Sequence, residues 1–500
     1  MLRVQRVEDL DRSAIEHVAF ASEELTVAPA LLAEVEAQRA SMLRDLARGM
    51  RVYGVNTGMG YLSNVDLDAE EQSSHSRRLL LGRAVGSAPW LPRAEVRALM
   101  VVRLAEFLHG RSGVSAALCR YLVDRLNDDF CPAVPTGGVG TAGEIQPLAH
   151  AFQTFMGTGR VLRGDDGGTE PAADALDARG AAPYAPGPKE GLALLAGAPA
   201  AAGLTLARLR TVDRLAGQAA VVAAQSAHAL DAPRGPFDPL HAELAGDPVL
   251  GEVLARLRAM LGEADAASPE GVPGHQAPVS FRVFPQVLAY LHRTADRLTE
   301  DTERHLAAVT DSPAYADGRF LTSGAFHAID LAAGLDQLAI ALTHTAELAA
   351  QRIHRLMDAR VTGLPAQLSP TPGAGCGLIV VHKRAVGVVN ELRRLAVPAT
   401  IGIGDTSLGQ EDAQTFTFEA VSRLRRVEAL VTDVLACEAL CGRQARWLAG
   451  RTAPQGLRRA ATTLDELVAP VTEDRPLGPD LDRLVDLMAA DGLPRPGPRT

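Results

Sequence analysis

Beyond residue 190 the chain is a succession of long apolar segments with helical spacing: 190–231, 238–263, 285–310, 325–358, 376–396 and 410–448. Apolar side chains recur three and four residues apart, the period that lines one face of an α-helix. Most of these segments exceed the ~10–14 residues of an ordinary globular helix. Their length and alanine content suit the core of a long bundle rather than the outer helices of an α/β domain. Composition agrees. Aromatic residues make up 4% of the 500, hydrophobic residues 47% and charged residues 22%. The core is therefore aliphatic and the chain globular, not disordered. There is no alternating strand–helix pattern and no repeat of fixed period. The expected fold class is mainly α.

The first 189 residues differ. Segments 31–49 and 95–126 read as helices, the first stopped by a glycine. Between them and after them lie two glycine-rich breaks, RVYGVNTGMGYLS at 50–62 and CPAVPTGGVGTAGEIQP at 131–147. Residues 163–189 are the most loop-like internal stretch, with one short helix inside. The tail after 473 carries repeated prolines. Three regions are expected: an N-terminal helical domain, 1–189, with glycine-rich loops at 53–60 and 136–143; a long-helix central bundle, 190–472; and a proline-rich tail, 473–500.

Charge and motif tests narrow the function. Sixty acidic against fifty basic side chains give a net charge of −10, which argues against nucleic acid or an anionic membrane as partner. The basic residues are almost all arginine, the two lysines being Lys189 and Lys383. The five cysteines (Cys119, Cys131, Cys376, Cys437, Cys441) are odd in number, widely spaced and free of CxxC. That pattern speaks against a disulfide framework or a zinc site, and no metal is expected. The N-terminus turns acidic too early for a signal peptide. The uncharged run near 191–207 contains Pro199 and falls short of a membrane span. A soluble cytoplasmic protein is expected. Gly138-x-Gly140-x-x-Gly143 matches the dinucleotide fingerprint in letters only. Pro132 and Pro135 interrupt the strand it needs, and Pro147 follows closely.

Seven stretches carry a family signature: YGVNTGMG (53–60), VGTAGEIQPLAH (139–150), KEGLALLAG (189–197), SFRVFPQV (280–287), SGAFHA (323–328), QRIHRLMD (351–358) and GQEDA (409–413). In this order they resemble the histidine and phenylalanine ammonia-lyase family, within the fumarase/aspartase-like group, from about residue 50 to 415. The resemblance implies a homotetramer whose central bundle draws long helices from all four chains, with active sites shared by three subunits and a small carboxylate substrate. Family members remove an α-ammonium and a β-proton from an amino acid. They do so with an electrophile, methylidene-imidazolone (MIO), made autocatalytically from an Ala-Ser-Gly triplet.

The matching triplet here is Thr141-Ala142-Gly143. Ala142 has no hydroxyl to eliminate, so it cannot become a methylidene. Thr141 has one, but a position early, and a frame-shifted ring would have to close the Ala142 nitrogen onto the Gly140 carbonyl. The expectation is that MIO is not formed and that no other cofactor replaces it. Three further family positions have changed. The asparagine after KEGLALL is Ala196, the tyrosine of the PYSLR motif is Val279, and the histidine that reads the substrate side chain is Arg83.

Other positions match. By resemblance Tyr53 is the proton-abstracting tyrosine and Arg282 grips the substrate carboxylate, for which a guanidinium fork is well shaped. A free tyrosine ionises near pH ~10, so a base role needs a nearby cation, and Arg83 and Arg282 are the candidates. Phe326, Gln276, Gln410 and Glu411 are also retained. Glu411 either holds a cationic substrate group or acts as acid or base, or else is a helix N-terminal carboxylate near Asp412. Lys383 replaces a usual aliphatic residue. It either reaches solvent or joins Arg83 in a cationic end of the pocket. These features resemble the MIO-free ergothionase-like branch, which splits a thiol-bearing histidine betaine into trimethylamine and an unsaturated acid. The expected function is elimination or addition across the α,β bond of a small amino acid or betaine. Three alternatives stand beside it: an inactive ligand-binding homologue, a member repurposed for cyclisation, dehydration or addition, and an ordinary ammonia-lyase with a frame-shifted electrophile.

Overall fold

A computed structural model describes residues 1–164, 167–262 and 276–495, and α-helices carry most of them. In chain order these begin with α1 (Arg12–Phe20), α2 (Pro29–Ala47), α3 (Ala69–Leu81), α4 (Arg93–Leu108), α5 (Ala116–Asn127), α6 (Ile145–Gln153), α7 (Ala172–Asp177) and α8 (Glu190–Leu195). There follow α9 (Pro199–Leu230), α10 (Leu240–Ala245), α11 (Pro248–Leu261), α12 (Val279–Arg282), α13 (Phe284–Leu306), α14 (Ile329–Leu356), α15 (Ala359–Thr362), α16 (Ile379–Leu395) and α17 (Thr417–Leu448). Last come α18 (Arg458–Leu467) and α19 (Gly478–Ala489). Strands are confined, among the described residues, to three two-stranded pairs. β1 (Leu2–Val4) and β2 (Leu25–Val27) are parallel; β3 (Arg160–Arg163) with β4 (Gly168–Pro171), and β5 (Ala314–Ala316) with β6 (Arg319–Leu321), are antiparallel. The mainly α class read from the periodicity is what the structure has.

Local chemistry explains where the expected helices begin and break. Asp68 and Glu71 form a reciprocal capping box that starts α3. The segment expected at 190–231 is interrupted between α8 and α9, where Gly197 takes φ +95° and Pro199 opens the next helix. The segment expected at 238–263 breaks at Gly246, and Asp247 caps α11 through the Leu250 amide. The helix expected from 410 begins only at Thr417, because Phe416 sits at φ +53°. Residues 410–416 are thereby released into a loop. The loop-like stretch at 163–189 contains the anticipated short helix, α7, and also strand β4 of the β3–β4 pair, which the sequence reading did not foresee.

The described residues form two compact units, each assembled from separated stretches. The first takes 1–208, 298–335 and 399–422, and the second takes 209–297, 336–398 and 423–500. The first unit is centred on α4, which is buried from Glu95 to Leu108. Around it runs a dry polar network. Lys189 Nζ and Asp311 Oδ2 pair at 2.7 Å with neither side chain exposed. Arg103 Nη1 donates to Glu106 Oε2 at 2.8 Å, and Glu106 Oε1 accepts from the Asp311 amide at 2.7 Å. The second unit holds a bidentate Arg352–Glu438 pair at 2.6 and 2.8 Å, also buried. Two helical stretches, Glu190–Leu230 and Ala325–Leu356, are long and apolar enough to cross a membrane by composition, but 94% of the first one's apolar window is buried within the fold. A core helix satisfies the same criteria.

Candidate active site

Three loops of the first unit converge on one open cavity of 640 Å³. Its lining comes from Met59, Gly60, Tyr61 and Leu62, from Arg83, from Gly140, Thr141 and Ile145, and from Thr406, Ser407, Leu408 and Glu411.

The first loop carries Tyr53. It is folded tightly: a Cβ at Gly58 would lie 2.3 Å from the Leu62 carbonyl oxygen, so only glycine fits there. The loop turns back on itself, and the Gly60 amide donates to the Tyr53 hydroxyl oxygen at 2.8 Å. Arg83 follows directly on the C-terminal cap of α3, Gly82, and donates to the Leu79 carbonyl at 3.3 Å. It is half-buried. Burial lowers its pKa, while Tyr53 and Glu411, both within electrostatic reach, act the other way. Its guanidinium stays charged regardless. The structure therefore brings Tyr53, Arg83 and Glu411 together.

The altered triplet forms the second loop. The Thr141 hydroxyl donates to the Gly143 carbonyl, and the Ala142 amide donates to Glu411 Oε2 at 3.1 Å. The Phe326 ring packs beneath Gly143, 3.5 Å from where a Cβ would stand. Behind the triplet, Glu144 is buried and accepts from the Ala200 amide at 2.6 Å and from the Ala201 amide, closing the N-terminus of α9. Burial pushes its carboxyl up to about 8, against the pull of those two amides.

The third loop corrects the helix-cap alternative for Glu411. No helix starts there. Glu411 pairs with Thr406 through the backbone, and its Oε1 accepts from Ser407 Oγ at 3.0 Å. Gln414 braces the loop, donating to the Glu411 carbonyl and accepting from the Gly404 amide, each at 2.9 Å. Ser407 and Leu408 are both held at φ +54°, a conformation that side chains with a Cβ resist. Gln410 is exposed at the loop's edge.

The remaining expected residues lie in the second unit or off the cavity. Arg282 ends the short helix α12, and its Nε is buried without a hydrogen-bond partner among the described residues. Arg352 steadies that turn through the Ser280 carbonyl at 3.4 Å. Val279 and Gln276 are exposed beside it. Lys383 is exposed on α16, where its charge reaches the Cys376 thiol. Ala196 is buried in the first unit, its carbonyl accepting from Arg103. Among the described residues no group of three or more His, Cys, Asp or Glu is placed to hold a metal.

Sequence reasoning missed Thr406, Ser407 and Glu144. The signal was the motifs themselves: Thr406 and Ser407 lie within three residues of the 409–413 stretch, and Glu144 lies inside the 139–150 stretch. It also missed His75, which lies between two of them.

Comparison with known proteins gives the family. The histidine ammonia-lyase of Symbiobacterium thermophilum is 33% identical over 458 residues, 90% of either chain. That of Anaeromyxobacter dehalogenans is 33% identical over 495 residues, 96% of this chain and 97% of the relative. Among solved structures, the ergothioneine-degrading enzyme ergothionase from Treponema denticola matches with a TM-score of 0.93 at 22% identity, covering 98% of this chain and 99% of that one. The tyrosine aminomutase of Streptomyces globisporus matches with a TM-score of 0.90 at 25% identity, covering 98% and 97%. The family model for aromatic amino acid lyases matches residues 10–468. On the match of nearly the whole chain, this protein belongs to the aromatic amino acid lyase family.

Proposed function

We propose that this protein is an MIO-independent carbon–nitrogen lyase acting on a small amino acid or betaine that bears a carboxylate. The observation that carries the reading is the tie between the altered triplet and Glu411. The residues present do not fit the family's prosthetic group. Ala142 offers no hydroxyl to lose. Its amide, the nitrogen that a frame-shifted ring would need, is held by Glu411, and the Thr141 hydroxyl is engaged by Gly143. The nearness of Tyr53, Arg83 and Glu411 supports an acid–base role for them.

Elimination without an electrophile requires a leaving group better than ammonia. A quaternary ammonium leaves as a neutral amine and needs no covalent activation. In this scheme Tyr53, as phenolate, takes the β-proton under the field of Arg83. The electrons of the broken C–H bond form the α,β double bond, and those of the C–N bond leave with the amine. Glu411 faces the cationic nitrogen and stabilises it in the ground state. Arg282, whose Nε has no hydrogen-bond partner among the described residues, holds the carboxylate. Arg83 also stabilises charge moving into the far end of the substrate. Phe326 and Gln410 flank the same loops, in a soluble cytoplasmic homotetramer whose subunits share each site. Addition in the reverse direction uses the same groups.

The test is the intact mass of the purified protein, with peptide mapping of 136–147. An unmodified mass is expected, followed by trimethylamine release from an amino-acid betaine that disappears in Tyr53→Phe. A deficit of two waters in that peptide returns the protein to electrophile-dependent ammonia elimination and refutes the reading.

A further inference from the structure

The Tyr53 loop rests on a corner where α3 meets α8. The two helices approach so closely that a Cβ at Gly191 would stand 2.2 Å from the Ser76 carbonyl oxygen. The turn residue Gly54, at φ +65°, lies against the Leu192 side chain of α8, 3.0 Å from where its own Cβ would be. Next to Ser76, on α3, is His75. The Gly54 carbonyl faces its ring. Nε2 of that ring is buried and has no hydrogen-bond partner among the described residues. Arg78 and Arg83 are the charged groups around it, and with burial they disfavour the imidazolium. A neutral imidazole keeps one N–H to give, and it adds no positive charge beside Arg83. Hydrogen bonds that matter in a bound state are often loose in the empty protein and tighten on closure.

We propose that His75 is a positioning residue that seats the Tyr53–Gly54 turn on the α3–α8 corner by giving a ring N–H to the Gly54 carbonyl. The seat keeps the phenol of Tyr53 within reach of Arg83. The seating is independent of the reaction; its catalytic consequence rests on Tyr53 being the base proposed above.

Hydrogen exchange of the full-length assembly, followed by mass spectrometry, tests it. The peptide covering 50–62 is informative because the Gly60 amide donates to the Tyr53 hydroxyl and so reports the position of the phenol. His75→Leu removes the donor and keeps an apolar side chain of similar bulk. It is expected to speed exchange in 50–62 by about fivefold, the effect of one ordinary hydrogen bond, and to leave α4 unchanged. His75→Gln, whose amide reaches Gly54, is expected to restore wild-type exchange. Where leucine also loosens α4, His75→Asn, polar but too short, takes its place. Unchanged exchange in 50–62, or a glutamine variant indistinguishable from leucine, overturns the proposal. With a substrate in hand, kcat falls in His75→Leu by a similar factor while KM holds. A wild type inactive on every betaine refutes the lyase reading and leaves the exchange result standing.

Discussion

Lys189→Met breaks the driest ion pair of the first unit. Lys189 and Asp311 are 2.7 Å apart and neither side chain touches solvent. Removing the ammonium leaves a carboxylate stranded in the core, and Asp311 Oδ1 already lacks a hydrogen-bond partner among the described residues. The nearby Thr310 hydroxyl and Asp311 amide are committed to Glu106. Stranding one member of a buried pair costs about 3–5 kcal/mol. At ~2.1 cal/mol/K per residue, a chain of 500 residues unfolds with an entropy near ~1 kcal/mol/K. The melting temperature should therefore fall by about 3–5 °C, measured by scanning calorimetry at fixed protein concentration and scan rate. The double variant Lys189→Met/Asp311→Leu removes both charges and should recover most of the loss, because an apolar pair of similar volume replaces the ions without the desolvation penalty. A single variant within 1 °C of wild type, taken as about a third of the smallest expected shift, or a double variant no better than the single, refutes the argument.

Arg83→Gln should lower kcat by about 10²-fold, the usual effect of removing one preorganised electrostatic group, and should shift KM far less in steady-state assays. Arg282→Ala should weaken binding of a carboxylate ligand by about 10²-fold in titration calorimetry, as expected for losing a bidentate charged contact. Glu144 sets a pH dependence. Burial raises its folded-state pKa to about 8, above the ordinary carboxylate value of 4.5. Between those values the native state binds more protons than the unfolded state, so this group's contribution to stability falls as pH rises from about 5 to about 8 and is flat above. Glu144→Gln, which keeps an acceptor for the α9 amides, should flatten that decline in denaturant titrations run across the same range. An identical slope in wild type and variant removes Glu144 as its cause.

The bundle was legible because periodicity is a local property. The apolar spacing that marks α13 or α14 is written into each stretch and needs no partner to be read. Breaks were legible only where a glycine or proline announces them. Phe416 announces nothing. Its left-handed backbone, which ends the 404–416 loop and postpones α17 to Thr417, is imposed by the loop around it. That single conformation decides the role of Glu411: read from sequence, it is as easily a helix cap as a site residue. The division of the chain into units assembled from distant stretches was illegible for a similar reason, since a long helix looks the same whichever neighbours it packs against.

The chemistry of the site follows the same rule. Family motifs located Tyr53, Arg83 and the triplet because each motif is contiguous. The bond from the Ala142 amide to Glu411 joins residues 269 apart in the chain, and no spacing within a motif encodes it. Yet this bond gives the triplet a new meaning. A glycine-rich loop without its serine is, by itself, only a loss. A loop whose amide is committed to the Glu411 carboxylate, with Tyr53 and Arg83 close by, is a defined arrangement and not merely a missing group. The buried network around α4, Lys189 and Glu106 contains none of the changed positions except the backbone of Ala196. That network's stabilisation is thus carried by groups apart from the three loops, which leaves the loop positions other than Glu144 free to vary in chemistry at little cost to it. For the same reason, Ala142→Gly should leave the melting temperature almost unchanged while loosening the Glu411 tie. A large loss of stability there would place the triplet inside the structural core and undo the separation argued here.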